Sequence, residues 1–236
     1  MRIPRRYTAP PNSTVHKIWR CHNKEYLLEK ATDKHEYLQA IHDDYTGKCN
    51  KDDFEICGYV VMSNHAHESD TVGERTEKYS EHMRRSYGRF GLRFNKRHER
   101  LGKVALDRPK TIRMQDAKSH MRVMFYSDCN PVRAGIIRHP TDTRWKDFSS
   151  CRFYAYGERN RYSDMLTPPA WYLALGRTQR ARQRRYRSLL DRYMIEHGLK
   201  RDPKMCTGYF LGGEQWIQEQ RKLLRERTAK LAQAPP

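Results

Sequence analysis

Apolar positions along this chain follow two different periods. Val15 to Cys21 is apolar around Trp19 and reads as a strand. From Asp33, a residue type suited to capping, Tyr37, Leu38 and Ile41 share one face and predict a helix to about Asp44. Thr46 to Asp53 is polar, contains Gly47 and Asn50, and reads as a loop. Phe54 to Met62 is a second apolar strand, with Ser63-Asn64 as a turn or bulge after it. Glu74 to Phe94 carries Tyr79, Met83, Tyr87 and Phe90 at three- and four-residue spacing, a helical stripe read as core. Gln115 to Cys129 predicts another helix, stopped by Pro131, which disfavours helical geometry at Asn130.

The chain changes character near Arg159. Six arginines lie between Arg177 and Arg187. A terminal amphipathic helix is predicted over Glu214 to Leu231, with Trp216, Leu223 and Leu224 facing inward. The pattern suits a domain of about 150 residues with an extension, divided here as 1–156 and 157–236.

Charge narrows the function. Among 236 residues, 47 Lys and Arg stand against 28 Asp and Glu, a net charge of +19. That is the footprint of a nucleic-acid binder, with a merely basic protein as the bland alternative. Between Arg84 and Arg122 there are 13 basic and 3 acidic residues, interrupted by Tyr87, Phe90 and Phe94. The run reads either as a solvated face or as a surface that tracks phosphates. Its candidates are Arg84, Arg85, Arg89, Arg93, Lys96 and Arg97. No apolar run approaches the ~20 residues that span a bilayer, so no membrane partner is expected. The basic start, Met1 to Arg6, lacks the apolar core of a secretory signal. It reads equally as a DNA-contacting arm or an unstructured end. None of the six cysteines are spaced as CxxC, which argues against a zinc ribbon and for small core residues in a reducing cytoplasm.

Two constellations carry chemistry. His65 and His67 sit at i and i+2, one face of a strand, and make half of a metal site. With 11 histidines in the chain such a pair also arises by chance. Tyr126 and Asn130 are four apart and share a helix face. An amide oxygen suits a divalent cation, and a tyrosine hydroxyl can attack a phosphodiester whose charge a cation neutralises. The bland reading of Tyr126 is a half-buried helix aromatic.

Gly58 to His67 resembles the strand signature of HUH nucleases of the IS200-like, single-tyrosine transposase family. Phe125 to Gly135 is similar to that family's nucleophile helix and the Asn-Pro-Val-Arg-Ala-Gly block after it. Trp145 to Ser150 and Arg93 to His98 resemble two further blocks, and Gly208 to Gly212 with Trp216 points to the REP-associated branch. The resemblance covers about residues 5–156 well and the remainder loosely. It departs after His67, where Glu68-Ser69-Asp70 replaces apolar residues, and at Ser63, where proline is usual. The acids either end the strand early or approach the metal.

The resemblance implies an α+β, ferredoxin-like fold: a central antiparallel sheet, helices on its faces, and a basic helical extension packed outside. It implies nicking and rejoining of single-stranded or hairpin DNA through a 5′-phosphotyrosine. Tyr126 would be the nucleophile, and Mg²⁺ or Mn²⁺ would be held by His65, His67 and Asn130. Arg133 reads as a phosphate contact or as a cap on the turn after Pro131. Arg177, Arg184 and Arg185 read as hairpin contacts or an exposed helix face. Family members occur as monomers and homodimers. The alternatives are a binding protein that keeps the fold without catalysis and a metal-dependent nuclease that uses water.

Overall fold

The computed structural model describes residues 3–48, 52–197 and 200–233. After one helical turn, α1 (Arg5–Thr8), the chain runs β1 (Thr14–Arg20), α2 (Ala31–Lys48), β2 (Phe54–Val61), β3 (His65–Val72), α3 (Thr76–Arg97) and β4 (Lys110–Met114). The strand order is β2-β3-β1-β4, and each of these pairs is antiparallel. This is the interlocked pair of strand–helix–strand units of a ferredoxin-like sheet. The expected α+β architecture is therefore what the chain forms.

Polar composition hid β4 and the ends of β3 and α2. β3 begins directly after a tight turn at Ser63-Asn64 and runs through Glu68 and Asp70 rather than ending there. β4 is short and basic. The helix α2 starts before Asp33 and continues through Gly47 to Lys48, so much of the expected loop is helical. Cys49, Asn50 and Lys51, also assigned to that loop, lie outside the described residues, as do Met1 and Arg2 of the basic start.

β3 is buried on both faces, and alternation decides what each face receives. Ala66, Glu68, Asp70 and Val72 point toward α2 and α3, where Trp19, Tyr37, Phe90 and Phe94 form an aromatic core. His65, His67 and Ser69 point the other way, toward α4 (Ala117–Asp128). The two acids therefore face away from the histidine pair. They meet Lys17, fully buried on β1, at 2.8 Å (Glu68) and 3.0 Å (Asp70). The hydroxyls of Tyr37 and Tyr87 donate to Glu68, and that of Tyr79 donates to Asp70.

The second face is covered by α4 and by the extension. After α4 come the turn α5 (Asn130–Arg133), α6 (Cys151–Tyr156), α7 (Ala170–Leu173), α8 (Gln179–His197) and α9 (Glu214–Gln233). Phe125 of α4 packs against Trp171, Tyr186 and Tyr193 of α7 and α8. A two-residue strand, β5 (Phe210–Leu211), adds to the sheet parallel to β4. The division at 156 thus cuts through one core, in which α4 packs on the sheet on one side and on Trp171, Tyr186 and Tyr193 of the extension on the other. The terminal helix departs from expectation. Its start is anchored through Trp216 against Phe210 and beneath Arg113, and Arg227 lies over the Tyr7 ring, while Leu223 is 41 % exposed.

Burial raises the Asp70 carboxyl to about 6, with Glu68 adding to the rise and Lys17 opposing it. The folded state therefore binds this proton more tightly than the unfolded chain. Stability falls as pH rises from about 4 to about 6, by on the order of 2 kcal/mol. Asp70→Asn removes that fall, and denaturant titrations at pH 4, 5, 6 and 7 measure it; an unchanged slope in the variant contradicts the assignment.

Candidate functional site

The helix α4 is laid along β3 by two contacts. Asp116 caps its start, accepting from the Ser119 amide at 2.7 Å. His120 then meets Ser69 at 2.6 Å, and Tyr126 stands edge-on to His67 with ring centroids 6.0 Å apart. Moving six residues along α4 thus moves two residues back along β3, so the helix runs antiparallel to the histidine strand. Its far end is pinned by Asp128, which accepts from the hydroxyls of Ser149 and Tyr186. Burial pushes the Asp128 carboxyl up to about 7.

Pro131 has no N–H, and the helix breaks at Cys129 before resuming as the single turn α5. Arg133 fills the gap. Its guanidinium donates to the Tyr126 carbonyl and, at 2.7 Å, to the Asn130 Oδ1, and lies 4.1 Å over the Tyr126 ring. Of the two sequence readings of Arg133, these contacts match the cap on the turn; the same geometry also sets its cation over the tyrosine ring. The Tyr126 hydroxyl lies 3.4 Å from the Cys206 sulfur, and the residue is only 3 % exposed. Burial and the Cys206 thiol hold the phenol well above its ordinary value, against the opposing charges of Arg133 and Arg201.

Each histidine of the pair has a partner behind it. His65 Nδ1 lies 2.6 Å from Asn64 Oδ1, and the Asn64 amide in turn donates to the Lys24 carbonyl at 3.4 Å. His67 Nδ1 lies 2.7 Å from Nε2 of His16 on β1, whose Nδ1 is 3.0 Å from the Met205 carbonyl. Burial lowers His16 to about 3 and His65 to about 4, and puts His67 well below the ordinary histidine value. All three rings are therefore neutral at physiological pH, the form in which imidazole ligates metals.

These groups open on a cleft of about 440 Å³ lined by His65, His67, Tyr126 and Asn130 together with Arg20, Lys24, Arg133 and Arg201. No carboxylate lines it among the described residues. A second cavity of about 420 Å³ adjoins it, sharing Arg20 and Cys206 and adding Arg5, Arg108, Lys110 and Tyr209. The two meet at Arg20 and Cys206, and apart from Asp107 in the second their charged lining residues are all cations.

Most of the expected DNA-binding cations lie elsewhere. α3 covers the opposite face of the sheet, so its basic run is remote from the cleft. There Arg85 grips Asp44 and Glu81, Arg97 bonds Asp33 and Glu36, and Arg93 approaches Asp43 at 4.0 Å. Arg84 and Lys96 are exposed and Arg89 is half-buried. Arg177 and Arg184 are exposed, Arg185 donates to the Leu175 carbonyl, and none of the three lines the cleft. The groove cations Arg20, Lys24 and Arg201 carry no sequence signal, because they are scattered, while Arg108 and Lys110 lie within the Arg84–Arg122 basic run but were not among its named candidates. His16 and Cys206 likewise carry no motif.

A divalent ion would be held by His65 and His67 through Nε2 and by the Asn130 oxygen. Among the described residues no group of three His, Cys, Asp or Glu is placed to hold a metal ion. The fit is open on one side. The Asn130 Nδ2 is buried without a partner, and Oδ1 is taken by Arg133, so the amide has a group to exchange when a ligand enters. With every protein ligand neutral and four cations around the cleft, an ion there gains most when a phosphate supplies the negative charge. No helix among the described residues is long and apolar enough to cross a membrane.

No family model matches the chain, and no curated protein matches it. Among solved structures, one titled "Structure of the REP associates tyrosine transposase bound to a REP hairpin" is similar at a TM-score of 0.48 and 20% identity. The match covers 64% of this chain and 84% of that one.

Proposed function

We propose that this chain nicks and rejoins single-stranded DNA beside hairpins at palindromic repeats, through a tyrosine–DNA intermediate that needs Mg²⁺ or Mn²⁺. One observation carries the reading: a tyrosine hydroxyl, two neutral imidazoles and an amide converge at the end of a groove lined by cations. The strand would lie in that groove, its phosphates on Arg108, Lys110, Arg20 and Arg201. The bases would meet Tyr209 and the apolar floor at Ile18 and Leu106.

In the chemical step, the Tyr126 oxygen forms a bond to phosphorus as the bond from phosphorus to the 3′ oxygen breaks. The phenol proton passes through solvent to that departing oxygen. The products are a 5′-phosphotyrosine and a free 3′-hydroxyl. The ester conserves the phosphodiester, so a second 3′-hydroxyl reverses the step without ATP. When bound, the divalent ion withdraws charge from the scissile phosphate. Arg133, stacked on the tyrosine ring, holds the backbone of the attacking residue and offers a second cation to the phosphate. A hydroxyl so far from ionising needs the ring moved off Cys206 or its proton drawn away as the strand docks.

The runner-up is a DNA-binding protein that keeps the fold without catalysis. It is favoured by the closed state of the site, where Tyr126 is buried and Asn130 is held by Arg133. A denaturing gel separates the two. With Mn²⁺ and single-stranded hairpin oligonucleotides, the catalytic reading expects a covalent protein–DNA adduct that Tyr126→Phe abolishes. Binding without an adduct in either protein supports the runner-up. Cleavage unaffected by the substitution assigns the chemistry to water.

The groove is tested separately. Arg108→Ala with Lys110→Ala should lower affinity for single-stranded DNA and reduce the slope of log K against log salt by about two. Arg84→Ala with Arg89→Ala on α3 should leave the slope unchanged. The reverse pattern in fluorescence-anisotropy titrations would place the strand on α3.

A further inference from the structure

His16 is a fully buried residue of β1, outside every motif the sequence offers. Its two ring nitrogens are both engaged, and the partners fix the proton positions. A carbonyl oxygen only accepts, so the 3.0 Å contact with Met205 requires the hydrogen on His16 Nδ1. A neutral imidazole has one N–H, which leaves Nε2 as an acceptor. That nitrogen is 2.7 Å from His67 Nδ1, which must therefore donate. His67 Nε2 is left with the ring's lone pair. The alternative tautomer of His67 would set two lone pairs against each other, or require a charged ring where Arg20 and Lys110 already crowd it.

We propose that His16 is a positioning residue: it locks His67 in the Nδ1–H form, ready to ligate through Nε2, and ties that ring to residue 205. The proposal rests on the reading of the cleft as a metal site. It differs from a packing role in what it demands of the partner. A packing residue needs only the volume of His16, whereas the relay needs an acceptor at the position of Nε2 and an anchor behind it. Asn64 does the same for His65, so both ligands are oriented from behind, as metal-bound imidazoles usually are. The two anchors differ in origin. Lys24, behind Asn64, is next to β1. Met205 belongs to the segment that delivers Cys206 to the Tyr126 hydroxyl. One loop of the extension thus touches both the attacking residue and, through His16, a ligand.

The test reads the protons directly. Long-range ¹H–¹⁵N spectra of histidine-labelled, metal-free protein report which nitrogen of each ring is protonated. The wild type is expected to show His67 only as the Nδ1–H form; a His67 protonated on Nε2 overturns the proposal without any variant. His16→Leu keeps the apolar volume and removes the acceptor. It should release His67 to a mixture of tautomers and weaken Mn²⁺ binding by roughly 10–100-fold, the usual cost of losing such a partner. His16→Gln, whose amide oxygen can accept from Nδ1, should restore the single tautomer and most of the affinity. A folded His16→Leu protein with an unchanged His67 tautomer and unchanged Mn²⁺ affinity overturns the proposal. Absence of Mn²⁺ binding in the wild type would instead overturn the metal reading, and the nitrogen spectra would still decide the relay.

Discussion

The register of β3 against β1 is the constraint on which this molecule depends, and a buried ion cluster sets it. Lys17 is paired directly opposite Glu68 across the two strands, with Asp70 two residues on. Leaving any of these charges without its partner in the core would cost several kcal/mol. A slip of one residue would exchange the faces of the strand. It would turn Glu68 and Asp70 into the cleft and bury His65 and His67 among the aromatics under α2 and α3. The charges on one face thus orient the imidazoles on the other. The acids that interrupt the apolar pattern after His67 are the part of the strand that makes the histidine pair usable.

The cleft is composite. β3 brings the imidazoles, α4 the tyrosine, and the break at Pro131 turns Asn130 and Arg133 back toward both. The extension supplies the rest: Tyr186 pins the end of α4, Cys206 meets the Tyr126 hydroxyl, and Met205 anchors His16. A close approach at Gly58 helps seat the helix. A Cβ there would stand 3.2 Å from Met124 and from Ser150. The bulge between Ile56 and Gly58 is what turns that glycine toward α4.

Much of this was legible in the sequence, for identifiable reasons. Strand β1 alternates around an aromatic and β2 is mostly apolar, and α3 and α4 carry regular stripes, so their existence followed from pattern alone. The residues of the candidate site were legible because they sit in short local patterns: His65 and His67 at i and i+2, Tyr126 and Asn130 at i and i+4. The extent of β3 beyond His67 was left open because its buried polar residues satisfy one another across strands, which no one-dimensional pattern reveals. The basic groove was missed for the same reason: Arg5, Arg20, Lys110 and Arg201 meet only in three dimensions. The arginine run on α3 lies on the face of the sheet opposite the cleft. Charge density marks a surface, but here the acids of α2 neutralise much of it. The extension, apolar only at scattered aromatics such as Trp171, Tyr186 and Tyr193, looked like an appendage until their packing on Phe125 was seen.

The most direct measurement is the anomalous scattering of Mn²⁺ in crystals of the Tyr126→Phe protein bound to a single-stranded hairpin substrate. The account requires one peak within about 2.3 Å of Nε2 of both His65 and His67, facing a phosphate of the strand. Manganese bound at Glu68 and Asp70 on the opposite face, or a phosphate in the cleft with no ion at the histidines, would contradict it.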